Sequence, residues 1–227
     1  MKNSKLIQAA SEFGSPLYVY DANKIKYQYN RLVRSFKSVK NLQLNYAVKA
    51  LSNISILKYL IDLGSGIDAV SIQEVHLALK GGINPEKIIY TPNGVSMDEI
   101  KFASELGVKI NIDNLSVLED FGNSHPEIPI CIRINPHIMA GGNSNISVGH
   151  IDSKFGISIH QIPHLKRIVE NTKIRINGVH MHTGSDILDI DVFLRAAEIL
   201  FETANHFKDL DFICLLYTSD AADERNS

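Results

Sequence analysis

The chain has 227 residues, 44% of them hydrophobic, and a formal net charge of −2 at pH 7. It can bury a sizeable core, and it is long for one compact domain unless that domain is a barrel or a large α/β fold. Charge this close to neutral excludes a basic field for nucleic acid or an anionic membrane, which leaves small molecules as the favoured partners.

Met1 to Lys5 carries basic residues with no long apolar run behind it, and no stretch approaches the roughly 18 apolar residues of a membrane span. Two cysteines, Cys131 and Cys214, stand far apart without Cys-x-x-Cys spacing, which fits a reducing compartment. A cytoplasmic protein is expected.

Leu6 to Phe13 reads as a short helix, broken by Gly14 and Pro16, with Leu17 to Tyr20 as a short extended piece. Asp21 then caps a longer helix to about Phe36. Leu42 to Lys49 alternates, with Leu42, Leu44, Tyr46 and Val48 on one face and Gln43, Asn45, Ala47 and Lys49 on the other. If the second face lines a barrel interior, surrounding protein would desolvate the Lys49 amine, lower its pKa and make it a nucleophile toward aldehydes. A lysine that merely ends a strand at the solvent is the plainer reading of this stretch alone.

From Lys49 onward one unit repeats: a short apolar strand, a polar residue at its end, then a helix with an N-terminal signal. Ile67 to Ala69 precedes Ser71 to Glu74, a capping box opening a helix to Lys80, which Gly81 and Gly82 stop. Ile88 to Asn93 precedes a second capping box, Ser96 to Glu99, and a helix to Leu106. Val108 to Asp113 alternates and leads to a helix from Leu115 to Phe121. Ile130 to Asn135 alternates as well, with its isoleucines opposite Cys131, Arg133 and Asn135. Pro136 to Lys154 is the longest loop, of a length that tends to be functional. A helix over Gln161 to Asn171, a strand over Ile174 to His182, a helix over Asp191 to Phe207 and a strand beginning at Leu210 complete the order.

About seven strands alternating with helices predict a parallel sheet, and their near-regular spacing favours a TIM-type (β/α)8 barrel. No Gly-x-Gly-x-x-Gly follows the first strand, so an open dinucleotide-binding sheet loses its main support. The strand ends read Lys49, Asp68, Asn93, Asp113, Arg133 with Asn135, and His180 with His182. All are polar, as the catalytic face of a barrel requires. The two histidines share a face and admit two chemistries. They could form half of a metal site completed by Asp68, Asp113 or Lys49. Alternatively, one could stack on a flat cofactor while Thr183, Gly184 and Ser185 offer N–H and hydroxyl groups to a phosphate.

Tyr46-Ala47-Val48-Lys49-Ala50, Gly66 to Ser71, Arg133-Ile134-Asn135-Pro136, Lys154-Phe155-Gly156-Ile157 and His180 to Ser185 stand in one order. In that order they resemble the alanine-racemase-type barrel domain of pyridoxal-phosphate decarboxylases, over essentially Phe13 to Ile213. The resemblance implies that Lys49 forms a Schiff base with pyridoxal 5'-phosphate, that His182 stacks on its ring and that Ser185 touches its phosphate. It implies further that Asp68 and Arg133 lie near the lysine and the ring's polar edge. Lys154 and His150 are weaker candidates, read first as solvated loop charges. The motif wording is closest to members that convert meso-diaminopimelate to L-lysine and carbon dioxide. Relatives acting on arginine, ornithine or carboxynorspermidine, a barrel that binds the cofactor without turnover, and a metal-dependent hydrolase are the alternatives.

The tail departs from that family. Where a glycine-rich phosphate loop is expected, Cys214 to Glu224 is small, acidic and unpatterned. Residues 1–213 are therefore expected to form a truncated cofactor-binding barrel, and 214–227 a non-native or out-of-frame tail. An eighth strand and a C-terminal β-domain are missing on this reading, so the chain is expected to catalyse weakly; the whole protein is expected to be a homodimer.

Overall fold

Short strands that alternate with amphipathic helices bury an apolar face on each side of the connection, and this produces the observed layering. The computed structural model describes residues 3–138, 155–185 and 189–218. Helices α1 (Asn3–Phe13) and α2 (Ala22–Ser35) come first, followed by β1 (Asn45–Ala47), α3 (Ile54–Asp62), β2 (Gly66–Ala69), α4 (Ile72–Lys80) and β3 (Ile88–Tyr90). Then come α5 (Met97–Glu105), β4 (Lys109–Ile112), α6 (Leu115–Ser124), β5 (Ile130–Asn135) and β6 (Ile157–Ser158). The chain closes with α7 (Ile162–Thr172), β7 (Ile176–Ser185), α8 (Ile190–Ala204) and β8 (Phe212–Thr218).

The strands run parallel in the order β1-β2-β3-β4-β5-β7-β8, with the two-residue β6 paired to β5 off this path. The expected TIM-type parallel architecture is thus present as a curled sheet of seven strands. Its curl is visible at the amino ends, where Lys109 of β4 places its ammonium 5.4 Å from the Phe212 ring of β8. Two strands lie between them, and a flat sheet would separate them by about 14 Å at roughly 4.8 Å per strand.

The outward face of the sheet is the hydrophobic core. Ile67, Tyr90, Ile110, Ile132, Ile134, Val179 and Met181 lie against Val75 and Ala78 of α4, Ile100 and Ala103 of α5, Leu118 and Phe121 of α6, and Leu165 and Ile168 of α7. Spacings of three residues put each helical pair on one stripe. Burying each such isoleucine or leucine stabilises the layer by roughly 1.5–3 kcal/mol. The other face carries Asp68, Asn111, Cys131, Arg133, His180 and His182 into the interior of the curl.

Side-chain caps start the helices: Asp21 Oδ1 accepts from Asn23 N at 2.9 Å, Ser71 Oγ from Glu74 N at 3.3 Å, and Ser96 Oγ from Glu99 N at 3.2 Å. The two expected capping boxes form only by halves. Glu74 Oε2 instead accepts from Val70 N at 2.8 Å, and Glu99 Oε1 from the Tyr90 hydroxyl at 2.5 Å. Leu17 to Tyr20 is irregular rather than a strand, and α1 and α2 hold no buried residue. Among the described residues no helix is long and apolar enough to cross a membrane.

Strand boundaries differ from the sequence reading, which places no strand at β6. β1 ends at Ala47, and Val48–Ala50 turn into a 3-10 helix that carries Lys49. β6 has too few residues to show a period. β8 does not stop near Ile213 but pairs with β7 as far as Thr218, with His180 opposite Cys214 and His182 opposite Leu216.

Candidate active site

The carboxyl ends of the strands bring five predicted residues into one neighbourhood. Lys49 projects from the turn after β1, and its Nζ lies 3.3 Å from His182 Nε2 on β7. Of the two readings of Lys49, the solvent-facing one describes the residue, which is exposed. β1 is an edge of the sheet and ends two residues before the lysine, so no neighbouring strand covers its outer side.

Asp68 sits on β2 opposite Ala47 and is 4% exposed. Its Oδ1 accepts the Thr91 hydroxyl at 2.9 Å, and Thr91 Oγ1 accepts from Asn111 Nδ2 at 3.2 Å. Burial pushes the Asp68 carboxyl up to about 6, against the Thr91 hydrogen bond and the positive charges of Lys49 and Arg133, which favour the ionised form.

Arg133 lies on β5 opposite His180, buried, with its guanidinium 4.9 Å from the Phe155 ring centroid. Burial lowers its pKa, while Asp113 and Asp68 hold its charge in place. Asp113 is itself fixed by Asn93 Nδ2 at 2.7 Å and Asn114 Nδ2 at 3.2 Å.

His180 is fully buried and His182 is 6% exposed. Burial drives both toward the neutral form, aided by Arg133 and Lys49: His182 is pushed down to about 3, and His180 falls well below the usual imidazole range. The backbone N–H of Gly184 donates to His182 Nδ1 at 3.3 Å, which leaves the ring orientation set from its own strand.

Ser185 ends β7, paired with Thr218, and its side chain lies outside the described residues. Lys154 and His150 also lie outside them. Among the described residues no three His, Cys, Asp or Glu side chains gather as a metal site, so neither Asp68 nor Asp113 completes one with the histidine pair.

Sequence reasoning did not single out Thr91, Asn111 or Phe155. The one signal for Asn111 is its place on the polar side of an alternating strand, which Lys109 and Asp113 share. Nothing in a one-dimensional reading aims the Thr91 hydroxyl at Asp68.

Several buried polar atoms on the inner face have no hydrogen-bond partner among the described residues: Asp68 Oδ2, Asn111 Oδ1 and both ring nitrogens of His180. Buried polar groups are normally satisfied. An inner face with spare donors and acceptors, a lysine at its mouth and a neutral histidine beside it fits a polar, ring-shaped cofactor with an aldehyde. A parallel sheet curled around such a group is an α/β-barrel enzyme domain, with its chemistry at the strand carboxyl ends.

Residues 22–214 match the family described as pyridoxal-dependent decarboxylase, pyridoxal binding domain, and the chain belongs to that family. It is similar to the diaminopimelate decarboxylase of Methanothermobacter thermautotrophicus, at 39% identity over 200 residues that cover 87% of this chain and 47% of the relative. The Campylobacter jejuni enzyme of the same name is 36% identical, over 89% of this chain and 52% of that one. A crystal structure of Helicobacter pylori diaminopimelate decarboxylase complexed with L-lysine superposes with a TM-score of 0.80 at 29% identity, covering 94% of this chain and 65% of the other. The chain thus spans about half the length of the curated relatives it matches.

Proposed function

We propose that the chain is the cofactor-binding part of an enzyme that decarboxylates meso-diaminopimelate to L-lysine. The contact between Lys49 Nζ and His182 Nε2 carries the site reading. The substrate assignment is supported by the 39% and 36% identical relatives, which bear that enzyme's name.

On this reading the Lys49 amine would hold pyridoxal 5'-phosphate, and its exposed position would leave it open to an incoming amino acid. His182, kept neutral by burial, presents a flat uncharged face to the cofactor ring. Arg133 and Asp68 border the ring's polar edge, and Ser185 at the end of β7 is proposed to reach the phosphate. The bound cofactor would supply an electron-accepting ring for the electrons left when carbon dioxide departs. The Lys49 amine would be the group that returns a proton to the reacting carbon.

Borohydride reduction of the chain with pyridoxal phosphate, followed by peptide mass mapping, tests the site. An adduct on Lys49 that is absent in Lys49→Arg is expected; an adduct elsewhere sinks the assignment. Release of carbon dioxide from meso-diaminopimelate, with arginine and ornithine as competitors, tests the substrate. Faster release from either competitor replaces it. Turnover by these 227 residues is proposed to be weak, because β1 and β8 do not pair with each other among the described residues and the curl stays open there. A homodimer and a cytoplasmic location are further parts of the proposal; the second rests on the free thiols of Cys131 and Cys214.

A further inference from the structure

We propose that Thr91 and Asn111 are positioning residues of this site, which hold the Asp68 carboxylate in one orientation and in its charged form near Lys49. The inference rests on the reading of Asp68 as part of the cofactor site. Three buried side chains, from β2, from the residue that follows β3 and from β4, make a directed chain: Asn111 Nδ2 donates to Thr91 Oγ1 at 3.2 Å, and the Thr91 hydroxyl donates to Asp68 Oδ1 at 2.9 Å. Asn111 is fully buried, and Thr91 is 5% exposed. The sheet itself fixes the geometry, since Thr91 N donates to Ala69 O at 2.8 Å and β3 is in register with β4 at Tyr90 and Ile110.

The direction of the chain follows from proton counting. An ionised carboxylate only accepts, and a threonine hydroxyl has one hydrogen to give. That hydrogen goes to Asp68, so Asn111 must turn its amide N–H groups toward Thr91. A protonated Asp68 would carry its hydrogen on Oδ2, which has no partner among the described residues, and its Oδ1 would accept the Thr91 hydrogen bond more weakly than a carboxylate oxygen does. The network therefore favours the charged form of Asp68, because its terminal hydrogen bond is stronger to a carboxylate than to a neutral carboxyl.

Among the influences on Asp68, the Thr91 hydrogen bond ranks first of those opposing burial, ahead of Lys49 and Arg133, while Glu74 adds to the rise. The Cys131 and Cys214 thiols are pushed up partly by the Asp68 charge, so they bring no negative charge of their own. Losing the hydroxyl would leave Asp68 neutral through a wider range of pH. Lys49 would then lose its anionic neighbour over that wider range.

The test is a titration of the whole chain labelled with 13C at the aspartate carboxyl carbons, read by NMR without cofactor, with Asp68→Asn to assign the resonance. Asp68 is expected to titrate near 6 in the parent. In Thr91→Val it is expected about one unit higher, a roughly tenfold gain in proton affinity. Thr91→Ser should restore the parent value, and Asn111→Ser should shift it upward by less. A Thr91→Val chain that folds, as judged by circular dichroism, yet titrates with the parent overturns the proposal. If that variant does not fold, Asn111→Ser decides: an upward shift upholds the relay, and no shift overturns it. Because no cofactor is present, these outcomes are independent of the borohydride experiment. An adduct missing from Lys49 while the titration moves would overturn the cofactor reading and leave the relay standing.

Discussion

Lys49 Nζ and His182 Nε2 approach to 3.3 Å although four strands separate β1 from β7 in the sheet. Laid flat, that sheet would hold them about 24 Å apart at roughly 4.8 Å per strand. The site is therefore a product of curvature: neither strand end can act unless the strands between them bend the sheet around.

His182 is expected to contribute to cofactor affinity as a flat neutral surface rather than as a charge. His182→Ala should weaken pyridoxal phosphate binding by about 2- to 13-fold, the equivalent of the 0.5–1.5 kcal/mol typical of aromatic stacking, and should still allow the borohydride adduct on Lys49. Equilibrium titration of cofactor fluorescence measures the first and mass mapping the second.

Asp68 should make the cofactor-free chain less stable at neutral pH than in mild acid. Its folded pKa of about 6 lies above the ordinary 3.8, so the folded state holds the proton more tightly. Its contribution is fully present below about pH 3.8 and is lost as the pH rises through 6. A shift of this size corresponds to about 3 kcal/mol at most. Urea midpoints of Asp68→Asn and the parent should converge below pH 4 and separate by pH 7, with the variant the more stable; parallel curves would refute this.

The two buried histidines act in the opposite sense. The unfolded chain takes up protons from about pH 6.5 downward, while folded His182 stays neutral until about 3. Stability is thus lost as the pH falls across that window, and His180 adds to the same loss. Replacing His182 by Gln should flatten the acid side of the stability profile. The His182 ring proton resonances of the parent should not move between pH 5 and 8.

Gly178 and Phe212 define a steric limit at the amino ends of β7 and β8. A Cβ at position 178 would stand 2.4 Å from the Phe212 ring. Gly178→Ala should cost about 1–3 kcal/mol by overpacking, read from urea unfolding. Phe212→Leu in the same chain should recover part of that loss, as a double-mutant cycle would show.

The helix starts were readable because each depends on one residue and its next neighbours: Asp21, Ser71 and Ser96 cap where their side chains reach two or three residues along. The glutamates three residues after the two serines were misread because their alternatives come from the sheet, where the Val70 amide and the Tyr90 hydroxyl compete for them. Lys49 illustrates the same limit. Alternation from Leu42 to Lys49 is real, but a strand lasts only as long as its partner, and β2 pairs with residues 45 to 47 alone. The polar strand ends include Asp68, Arg133 and His182, which the sheet gathers on its inner face. The relay through Thr91 and Asn111 depends on register between three strands, which no single stretch encodes.

The contact that defines the site joins residues 133 positions apart in the chain. At the roughly 5–20 residues per second of protein synthesis, His182 leaves the ribosome some 7 to 27 seconds after Lys49. Throughout that interval the nascent chain carries Lys49 before His182 has been added, and an incomplete row of parallel strands. Pairing of this kind is slow because distant segments must be gathered before any contact rewards the gathering. On the proposed cofactor reading, cofactor added during translation should be captured only once β7 has emerged.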